Sequence, residues 1–485
     1  MNKRLIVRTI SIILLAEGIA MIPAMALAFY DGNKKVALGF LISMGILLGI
    51  SAIGHMATKN YKVKIKVRES YLVVLACWTT VIFAGVLPYV LSGEGYKLYD
   101  SFFESVASWT TSCAWVINAS AMPRALVLWR GIASWLGGIG IILIAILIMS
   151  ALGVNGQKLL NAELPGPSIF KTRARMMDTI RETYRIYLVM TGVVLALLLI
   201  GKVPFFESLV NTMTCVSTAG IIDYQGAIAA HFTPYVKVVL GIFSIIASIN
   251  FVLLISLAKG RIKRILEDYE FRFFLISIGL SALFIAAMLL IHGVRRNPGT
   301  ALVDGFAGVV SFASTAGFPL ERVNNWPTIC KSILLILMII GGSAGSTSGG
   351  IKVIRFAVFL KLIRRGVYKR IHPTATKPVM LNNTIIEAEN VSSIVTYILI
   401  FLAVYLFSAI VMSLNNLDME TTLSAPIALL TNTGLGFGLV SRGDFSVFAP
   451  LGRVYGALLM MAGRLEMYAI LILFSRSFWN ADRTK

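Results

Sequence analysis

The chain has 485 residues, of which 57% are hydrophobic and only 14% charged, and its mean hydropathy is +0.82. A soluble protein of this size cannot bury so much apolar surface, so the composition predicts an integral, all-α membrane protein. The four cysteines form no CxxC pair and the four histidines no HExxH motif. This pattern argues against a disulfide framework or a zinc site.

The formal net charge of +21 could suggest a nucleic-acid partner, but the distribution of charge argues against one. Lys and Arg concentrate in short segments between apolar stretches, which is the positive-inside pattern of membrane proteins. Besides the N-terminal MNKR, the basic segments lie at 59–68, 171–175, 259–264 and 361–370. A cytoplasmic N-terminus places all of them inside, so we expect a multi-pass protein with both termini in the cytoplasm.

Ten segments, taken in chain order, are long enough to cross the hydrocarbon core as helices. They lie near 5–30, 36–55, 70–92, 123–152, 182–201, 234–258, 272–292, 328–362, 393–414 and 449–475. The first contains Ala24-Met25-Ala26, which is similar to a signal-peptide cleavage site, but we expect it to be a retained span. Apolar stretches of about 13 residues between later spans are too short to cross and predict re-entrant helices.

A fourfold internal repeat follows from one spacing. The segments DSFFESVASWTTSC, ESLVNTMTCVSTAG, DGFAGVVSFASTAG and TTLSAPIALLTNTG begin at Asp100, Glu207, Asp304 and Thr421, and each ends thirteen positions later. Each begins with a residue type suited to a helix N-cap, continues as a short apolar helix and ends in small polar residues. The sequence therefore predicts span, short helix, polar loop and span, four times, in fourfold pseudosymmetry.

The predicted units divide the chain into five parts. Two extra N-terminal spans occupy 1–69, and the four repeats occupy 70–178, 179–268, 269–378 and 379–485. A short helix entering from outside directs its negative C-terminal end toward the bilayer centre, which favours a cation there. Four non-helical strips around one axis would supply rings of carbonyl oxygens in place of the ion's hydration shell.

The predicted ion filter consists of the last three residues of each repeated segment. These are Thr111, Ser112, Cys113, Thr218, Ala219, Gly220, Thr315, Ala316, Gly317, Asn432, Thr433 and Gly434. The oxygens predicted to bind the ion are the backbone carbonyls of Thr111, Ser112, Thr218, Ala219, Thr315, Ala316, Asn432 and Thr433. The plainer alternative is that these are ordinary connections between the helices of a transporter.

Two more features lie within apolar spans. The stretch GGSAGSTSGG, followed by Lys352, cannot hold a stable helix in isolation, so it either lines a cavity or forms a small-residue packing face. Burying a charged side chain such as that of Arg464 at membrane depth costs free energy. We expect Arg464 to face the bundle interior, or else to pair with Glu466 or reach the membrane interface. We expect Glu17 and Glu104 to be structural caps or pair partners.

The chain resembles the Trk/Ktr/HKT superfamily of potassium transporters, most closely its TrkH-type bacterial membrane subunits. Beyond the four loops, the resemblance rests on the sequence AELPGP at 162–167, GGSAGSTSGGIKVIR at 341–355 and GRLEMY at 463–468. It implies potassium uptake across the bacterial cytoplasmic (inner) membrane, with one pore per subunit of a homodimer. It also implies that Arg464 is a barrier in the pore, together with an intramembrane gating loop made of Gly341, Gly342, Ser343, Ala344, Gly345, Ser346, Thr347, Ser348, Gly349 and Gly350.

The first loop departs from the family, which usually has glycine where this chain has Cys113. The fourth loop reads Gly434-Leu435-Gly436 where the family often has GPG. Three interpretations of Cys113 are open. It is a tolerated substitution whose carbonyl still points at the ion, with positive φ costing about 1–3 kcal/mol, or it relaxes K⁺/Na⁺ selectivity, or it is a redox-sensitive thiol acting with Cys215.

The resemblance further implies regulation by a cytosolic TrkA-like, nucleotide-binding ring protein, and segment 361–370 is a candidate docking surface. Positive-inside topology alone would also explain that segment. K⁺ is the expected transported ion, with Na⁺ as the alternative, and we expect no covalent cofactor and no enzymatic activity. The competing function is an ion-coupled (H⁺ or Na⁺) secondary transporter, which would normally carry acidic residues or histidine along its path.

Overall fold

The computed structural model describes residues 3–58, 67–140, 173–220, 222, 233–318, 323–374, 378–382, 384–465 and 467. The N-terminal helices are α1 (Lys3–Ala20), α2 (Ile22–Tyr30), α3 (Lys34–Ala57), α4 (Val67–Leu91), α5 (Leu98–Trp109) and α6 (124–140). The middle helices are α7 (Arg173–Ile200), α8 (Phe205–Val216), α9 (Pro234–Ala247), α10 (Phe251–Ala258), α11 (Ile262–Leu266), α12 (Tyr269–Ile291) and α13 (Pro298–Ala313). The last helices are α14 (Thr328–Ile340), α15 (Val353–Ile371), α16 (Ala388–Ser413), α17 (Met419–Leu430) and α18 (Pro450–Arg464).

One small hairpin interrupts this helical architecture. Strands β1 (Met380–Leu381) and β2 (Thr384–Ile385) pair antiparallel with Met380 opposite Ile385, between α15 and α16. Three short 3-10 turns lie at Ala119–Ala121, Val323–Asn325 and Gly438–Val440. The expected all-α class is therefore observed over the described residues, apart from four strand residues.

Among the described residues, six helical segments are long and apolar enough to cross a membrane. They are Ile6–Tyr30, Lys34–Ala57, Leu72–Leu91, Asp178–Ile200, Tyr269–Ile291 and Ala388–Ser413. The bent pair α9 and α10 would be a seventh if it is counted as one span. The predicted spans 123–152 and 449–475 extend beyond the described residues. The sequence AELPGP at 162–167 lies wholly outside them.

Two predicted spans are broken. The run 328–362 divides into α14 and α15 on either side of residues 341–352, which include the glycine-rich stretch. The run 234–258 bends by 102° between α9 and α10, which its continuous apolar character did not predict. At that bend Asn250 accepts a hydrogen bond from the N–H of Val252 (2.8 Å), and the hydroxyl of Ser248 donates to Ser244 O (2.8 Å). Such short polar side chains compete with the helical hydrogen bonds.

The four repeated segments form short helices, namely α5, α8, α13 and α17, which are largely buried. The expectation that Asp100, Glu207, Asp304 and Thr421 begin these helices is wrong. The N-cap residues are Lys97, Pro204, Asn297 and Asp418, which lie about one turn or more earlier. The backbones of Lys97 and Pro204 are extended and neither side chain caps its helix. Each of these two helices begins at the next residue, before the acidic residue.

Cation–acid pairs join successive repeats at the N-terminal ends of the short helices. The pairs are Lys237–Asp304 (2.7 Å), Lys331–Glu420 (2.8 Å) and Arg453–Asp100 (2.5 Å), and each joins the helix that follows one loop to the next short helix in the ring. Between repeats one and two, the guanidinium of Arg124 instead lies 4.6 Å from the ring centre of Phe206. Asp100 and Asp304 therefore help to close the ring of repeats.

The two extra helical spans pack against the first repeat, with α1 against both α3 and α4. Glu17 on α1 is 2% exposed, and neither of its carboxylate oxygens has a hydrogen-bond partner among the described residues. The expectation that Glu17 is a cap or pair partner is thus not met within that part of the chain.

Candidate functional site

The four loops that follow the short helices meet at one place. We name them loop 1 (110–117), loop 2 (217–222), loop 3 (314–318) and loop 4 (431–437). A β-carbon added to Gly220 would lie 2.5 Å from Cys113 Sγ and 3.1 Å from Ala316 O. One added to Gly317 would overlap Thr433 O, and one added to Gly434 would lie 2.5 Å from Cys113 N. Every loop therefore touches its two neighbours, and loops 2, 3 and 4 require glycine at this level.

The first residue of each predicted filter strip has a left-handed backbone. The φ angles are 56° at Thr111, 56° at Thr218, 53° at Thr315 and 56° at Asn432. A left-handed residue after a helix lets the following N–H groups bond back to the last turn, as Ser112 N does to Ala107 O (2.8 Å). The conformation is unusual for a β-branched residue, and strain of about 1–3 kcal/mol per site is typical of functional positions.

Cys113 itself is not one of the residues with positive φ. The interpretation that Cys113 is held at positive φ is therefore wrong, and loop 1 differs here from the other loops, where Gly220, Gly317 and Gly434 have φ angles of 96°, 66° and 72°. The Cys113 side chain is 4% exposed and lies against loops 2 and 3. None of the four cysteines forms a disulfide in the described part of the chain, and Cys215 bonds to Leu240 O and Ser244 Oγ.

The eight carbonyl oxygens predicted to bind the ion share one property. Among the described residues, none of them accepts a hydrogen bond. They belong to Thr111, Ser112, Thr218, Ala219, Thr315, Ala316, Asn432 and Thr433. Buried carbonyls are nearly always bonded, so eight that accept no hydrogen bond from the described part of the chain point to another ligand at this place.

Each loop is also supported from behind by a side chain of its own short helix. Asn211 bonds to both the N–H (2.9 Å) and the C=O (3.1 Å) of Ile222, and Ser424 does the same for Phe437. Ser311 donates to Phe318 O (2.8 Å). In loop 1 the support is Glu104, which accepts from the N–H groups of Val116 and Ile117 and pairs with Arg130, so the expected pair-partner role of Glu104 is confirmed.

Residues 341–352 lie against three of the four loops. Gly349 N donates to Thr315 Oγ1 (2.7 Å), and the hydroxyls of Thr347 and Thr218 lie 3.4 Å apart. A β-carbon on Gly349 would overlap Thr431 O. The glycine-rich stretch is therefore packed directly against loops 2, 3 and 4.

The same stretch is bonded to the bend between α9 and α10. Ser343 N donates to Ser248 O (2.9 Å) and Thr347 N to Ala247 O (3.3 Å), while Phe251 N donates to Gly345 O (3.1 Å). Two broken helices thus satisfy each other's interrupted backbone. This partnership was not found in the sequence, where only the Ser and Asn residues near 248–250 could have indicated it.

Two charged groups fix the ends of this stretch. Glu270 of α12 accepts a hydrogen bond from Ala344 N (2.8 Å), and Lys352, at φ 83°, donates to Ser348 O. Arg464, the last residue of α18, is 6% exposed and donates from Nη1 to Thr347 O (2.7 Å). The side chain therefore lies in the protein interior, and the alternative partner Glu466 lies outside the described residues.

These features define a multi-pass helical membrane protein whose four repeated segments converge at one buried place. The chain matches the family model TrkH, described as a cation transport protein, over residues 39–481. It is 30% identical to the Trk system potassium uptake protein TrkH of Salmonella typhimurium, over 99% of this chain and 100% of that protein. It is 27% identical to the Trk system potassium uptake protein TrkG of Escherichia coli, over 96% of each chain.

A solved structure supports the same assignment. The crystal structure of the potassium transporter TrkH from Vibrio parahaemolyticus superposes with a TM-score of 0.89 at 26% sequence identity, covering 99% of this chain and 100% of that one. The chain therefore belongs to the TrkH family of cation transport proteins, which agrees with the resemblance seen in its motifs.

Proposed function

We propose that this chain is the ion-conducting membrane subunit of a potassium uptake system in the cytoplasmic membrane of a bacterium. The observation that carries the proposal is the meeting of four loops whose eight carbonyl oxygens accept no hydrogen bond from the residues that the structure describes. In this proposal ten spans and four re-entrant helices surround one pore with fourfold pseudosymmetry, and both termini are cytoplasmic. The relatives' potassium uptake function supports the choice of K⁺.

Potassium would bind between the carbonyl oxygens of the predicted filter residues in loops 1 to 4. Each short helix ends at its loop, so four C-terminal dipole ends direct partial negative charge toward the site. The left-handed residues and the side chains behind the loops hold the loop backbone in place, so the carbonyl oxygens can face the ion. A rigid set of oxygens can replace the ion's hydration shell.

The glycine-rich stretch 341–350 would be the gate. It lies against three of the loops, and the guanidinium of Arg464 is bonded to its Thr347. A buried cation on the path repels a permeating cation, so movement of this stretch with Arg464 would control conduction. Lys352, which is bonded within the same stretch, adds a second positive charge.

A second candidate is a weakly selective K⁺/Na⁺ transporter, and the side chain of Cys113 favours it. Loops 2, 3 and 4 present glycine at this level, whereas loop 1 presents a thiol against Gly220 and Gly317. One side chain in the ring changes the spacing of the four loops. The two candidates share one pore and differ only in selectivity.

Regulation would come from a cytosolic TrkA-like ring protein that binds a homodimer of this chain. Segment 361–370 at the end of α15 offers its basic side chains, of which Arg364, Lys369 and Arg370 are exposed. Its charge and exposure suit an acidic surface on the partner.

Cation flux into liposomes that contain the purified full-length chain tests the proposal. We expect uptake of radioactive rubidium that K⁺ inhibits strongly and Na⁺ weakly. Equal inhibition by both ions would support the weakly selective candidate. Uptake that requires an imposed H⁺ or Na⁺ gradient would support a secondary transporter, and absence of flux for both ions would refute the pore.

A further inference from the structure

Loop 1 is the one described loop whose supporting side chains carry charge. Glu104 Oε1 accepts hydrogen bonds from Val116 N (2.7 Å) and Ile117 N (2.8 Å). Glu104 Oε2 lies 2.9 Å from Arg130 Nη1, and Arg130 Nη2 donates to Ala114 O (2.9 Å). Hydrogen bonds therefore join both side chains to the backbone between 114 and 117, and an ion pair links the two side chains, although Glu104 Oε2 has no hydrogen-bond partner among the described residues. The Glu104 side chain is fully buried, and that of Arg130 is 6% exposed.

The other loops obtain comparable support from neutral groups. Asn211, Ser311 and Ser424 hold loops 2, 3 and 4 through amide or hydroxyl hydrogen bonds. Hydrogen bonds to ionised groups are shorter and roughly twice as strong as neutral ones. Loop 1 is therefore held more firmly than its three counterparts.

Loop 1 is also the loop with the least room to move. The Cβ of Cys113 would lie 2.6 Å from a β-carbon placed on either Gly220 or Gly317, so it occupies the space toward which both glycines face. The backbone of Trp115 makes two hydrogen bonds to the chain that follows loop 4. Its N–H donates to Gly443 O and its C=O accepts from Phe445 N, at 2.8 Å each. A shift of loop 1 would therefore be transmitted to all three other loops.

Stability alone is a poor explanation for this ion pair. Burying two charges costs desolvation energy that their attraction often only offsets, and apolar replacements of such pairs are frequently neutral. A pair of this kind is better suited to specifying one backbone geometry. The backbone it specifies here, residues 114–117, follows directly on the predicted filter residues of loop 1 and so fixes where that strip ends.

We propose that Glu104 and Arg130 are positioning residues that set the preference for K⁺ over Na⁺ by fixing the backbone of residues 114–117. This inference rests on the proposed pore and assigns to the pair a role in selectivity. Glu104 and Arg130 do not touch the ion. They act through the loop that carries Cys113.

The test measures selectivity separately from stability. Liposomes containing wild type, Glu104→Gln or Arg130→Gln take up radioactive rubidium, and the ratio of K⁺ to Na⁺ concentrations needed for half-inhibition is determined. Asp304→Asn is the matched control, because its carboxylate is also buried and is paired with Lys237 and Arg295, yet bonds to no described residue of the four loops. Thermal unfolding in detergent is recorded for all four proteins.

We expect both loop-1 variants to conduct rubidium while their discrimination between K⁺ and Na⁺ falls about tenfold, equivalent to ~1.4 kcal/mol. Asp304→Asn should keep the wild-type ratio even if it unfolds at a lower temperature. The double variant Glu104→Gln, Arg130→Met removes both charges at once, which avoids an unpaired buried ion should a single variant fail to fold. It too should lose selectivity.

An unchanged ratio in the loop-1 variants, accompanied only by lower thermal stability, would show that the pair is structural and would overturn the inference. A loss of selectivity in Asp304→Asn to the same extent would overturn it as well. Failure of the pore itself gives a different result, since wild type would then show no cation flux at all.

Discussion

Arg464 Nη1 donates a hydrogen bond of 2.7 Å to the carbonyl oxygen of Thr347, which joins the end of the last described helix to the middle of the glycine-rich stretch. Among the described residues, Nε and Nη2 of the same guanidinium have no partner. Burying a cation that has one hydrogen bond costs free energy, and such residues in membrane proteins are usually functional. This contact therefore links the proposed gate to the helix that follows loop 4.

Replacing Arg464 with Met should increase cation flux. Two unit charges about 10 Å apart repel by ~1.7 kcal/mol at an effective dielectric constant near 20, so removing one should raise rubidium uptake roughly tenfold. Arg464→Lys keeps the charge and serves as the control, with flux near the wild-type value. Uptake of rubidium into liposomes measures the effect, and a slower Met variant would contradict the barrier role.

Gly317→Ala should abolish conduction. Gly317 has φ 66°, and a β-carbon there would overlap Thr433 O and lie 2.6 Å from Cys113 Cβ. Loops 1 and 4 would have to move apart. Gly279→Ala is the control, since Gly279 lies within α12 and nothing would approach its β-carbon within 4 Å. Rubidium uptake distinguishes them, and full activity of Gly317→Ala would refute the close meeting of the loops.

Cys113→Gly should sharpen selectivity for K⁺ over Na⁺. The substitution removes the one β-carbon that lies between Gly220 and Gly317, so the four loops can take equivalent positions. Competition by K⁺ and Na⁺ for rubidium uptake measures the ratio. Cys215→Ala, on the short helix α8 and bonded to Ser244, is the control and should leave it unchanged. An unaltered ratio for Cys113→Gly would favour a silent substitution.

Glu270→Ala should loosen the proposed gate. It leaves Ala344 N without its acceptor, a loss of about 1–3 kcal/mol for a buried donor. We expect a lower unfolding temperature, together with a higher rubidium flux when the cation gradient across the liposome membrane is small. Glu270→Gln retains an oxygen acceptor and should fall between wild type and Ala. Lower stability with unchanged flux would show that the bond supports the fold without restraining the gate.

Neutralising Arg364, Lys369 and Arg370 together should weaken binding of the cytosolic ring protein. These side chains are exposed on α15, whereas Lys361 is kept because it lies 3.9 Å from the Tyr269 ring centre and bonds to Met380 O. A pull-down with the partner measures binding, and Lys263→Gln with Arg264→Gln on α11 controls for lost charge. Undiminished binding would leave positive-inside topology as the explanation.

Much of this architecture could be predicted from the sequence because it is repeated or compositionally distinct. The thirteen-residue spacing located the four short helices, and the glycine content of 341–350 located the break between α14 and α15. The bend at 248–250 was missed because its apolar flanks read as one continuous span. Hydrogen bonds with Ser343, Gly345 and Thr347 stabilise that bend, and these partners belong to another repeat.

The site was predictable by position but not by conformation. The glycine pattern predicts positive φ at the level of Cys113, which the structure has at Gly220, Gly317 and Gly434 but not at Cys113. That pattern does not indicate the left-handed residue that begins each strip, such as Thr111. The pair Arg453–Asp100 joins residues 353 positions apart, and no local pattern announces it. Likewise nothing in the sequence singled out Arg130 as the partner of Glu104.

The thiol of Cys113 has a consequence for how such pores can diversify. The contact among loops 1, 2 and 3 has space for one β-carbon, because those of Gly220 and Gly317 would crowd the one that Cys113 already places there. A pore assembled from four identical chains would have a cysteine in every loop, and the four side chains would collide. A single polypeptide that encodes all four quarters separately can vary one of them, and covalent linkage of the repeats is what makes an asymmetric ring possible.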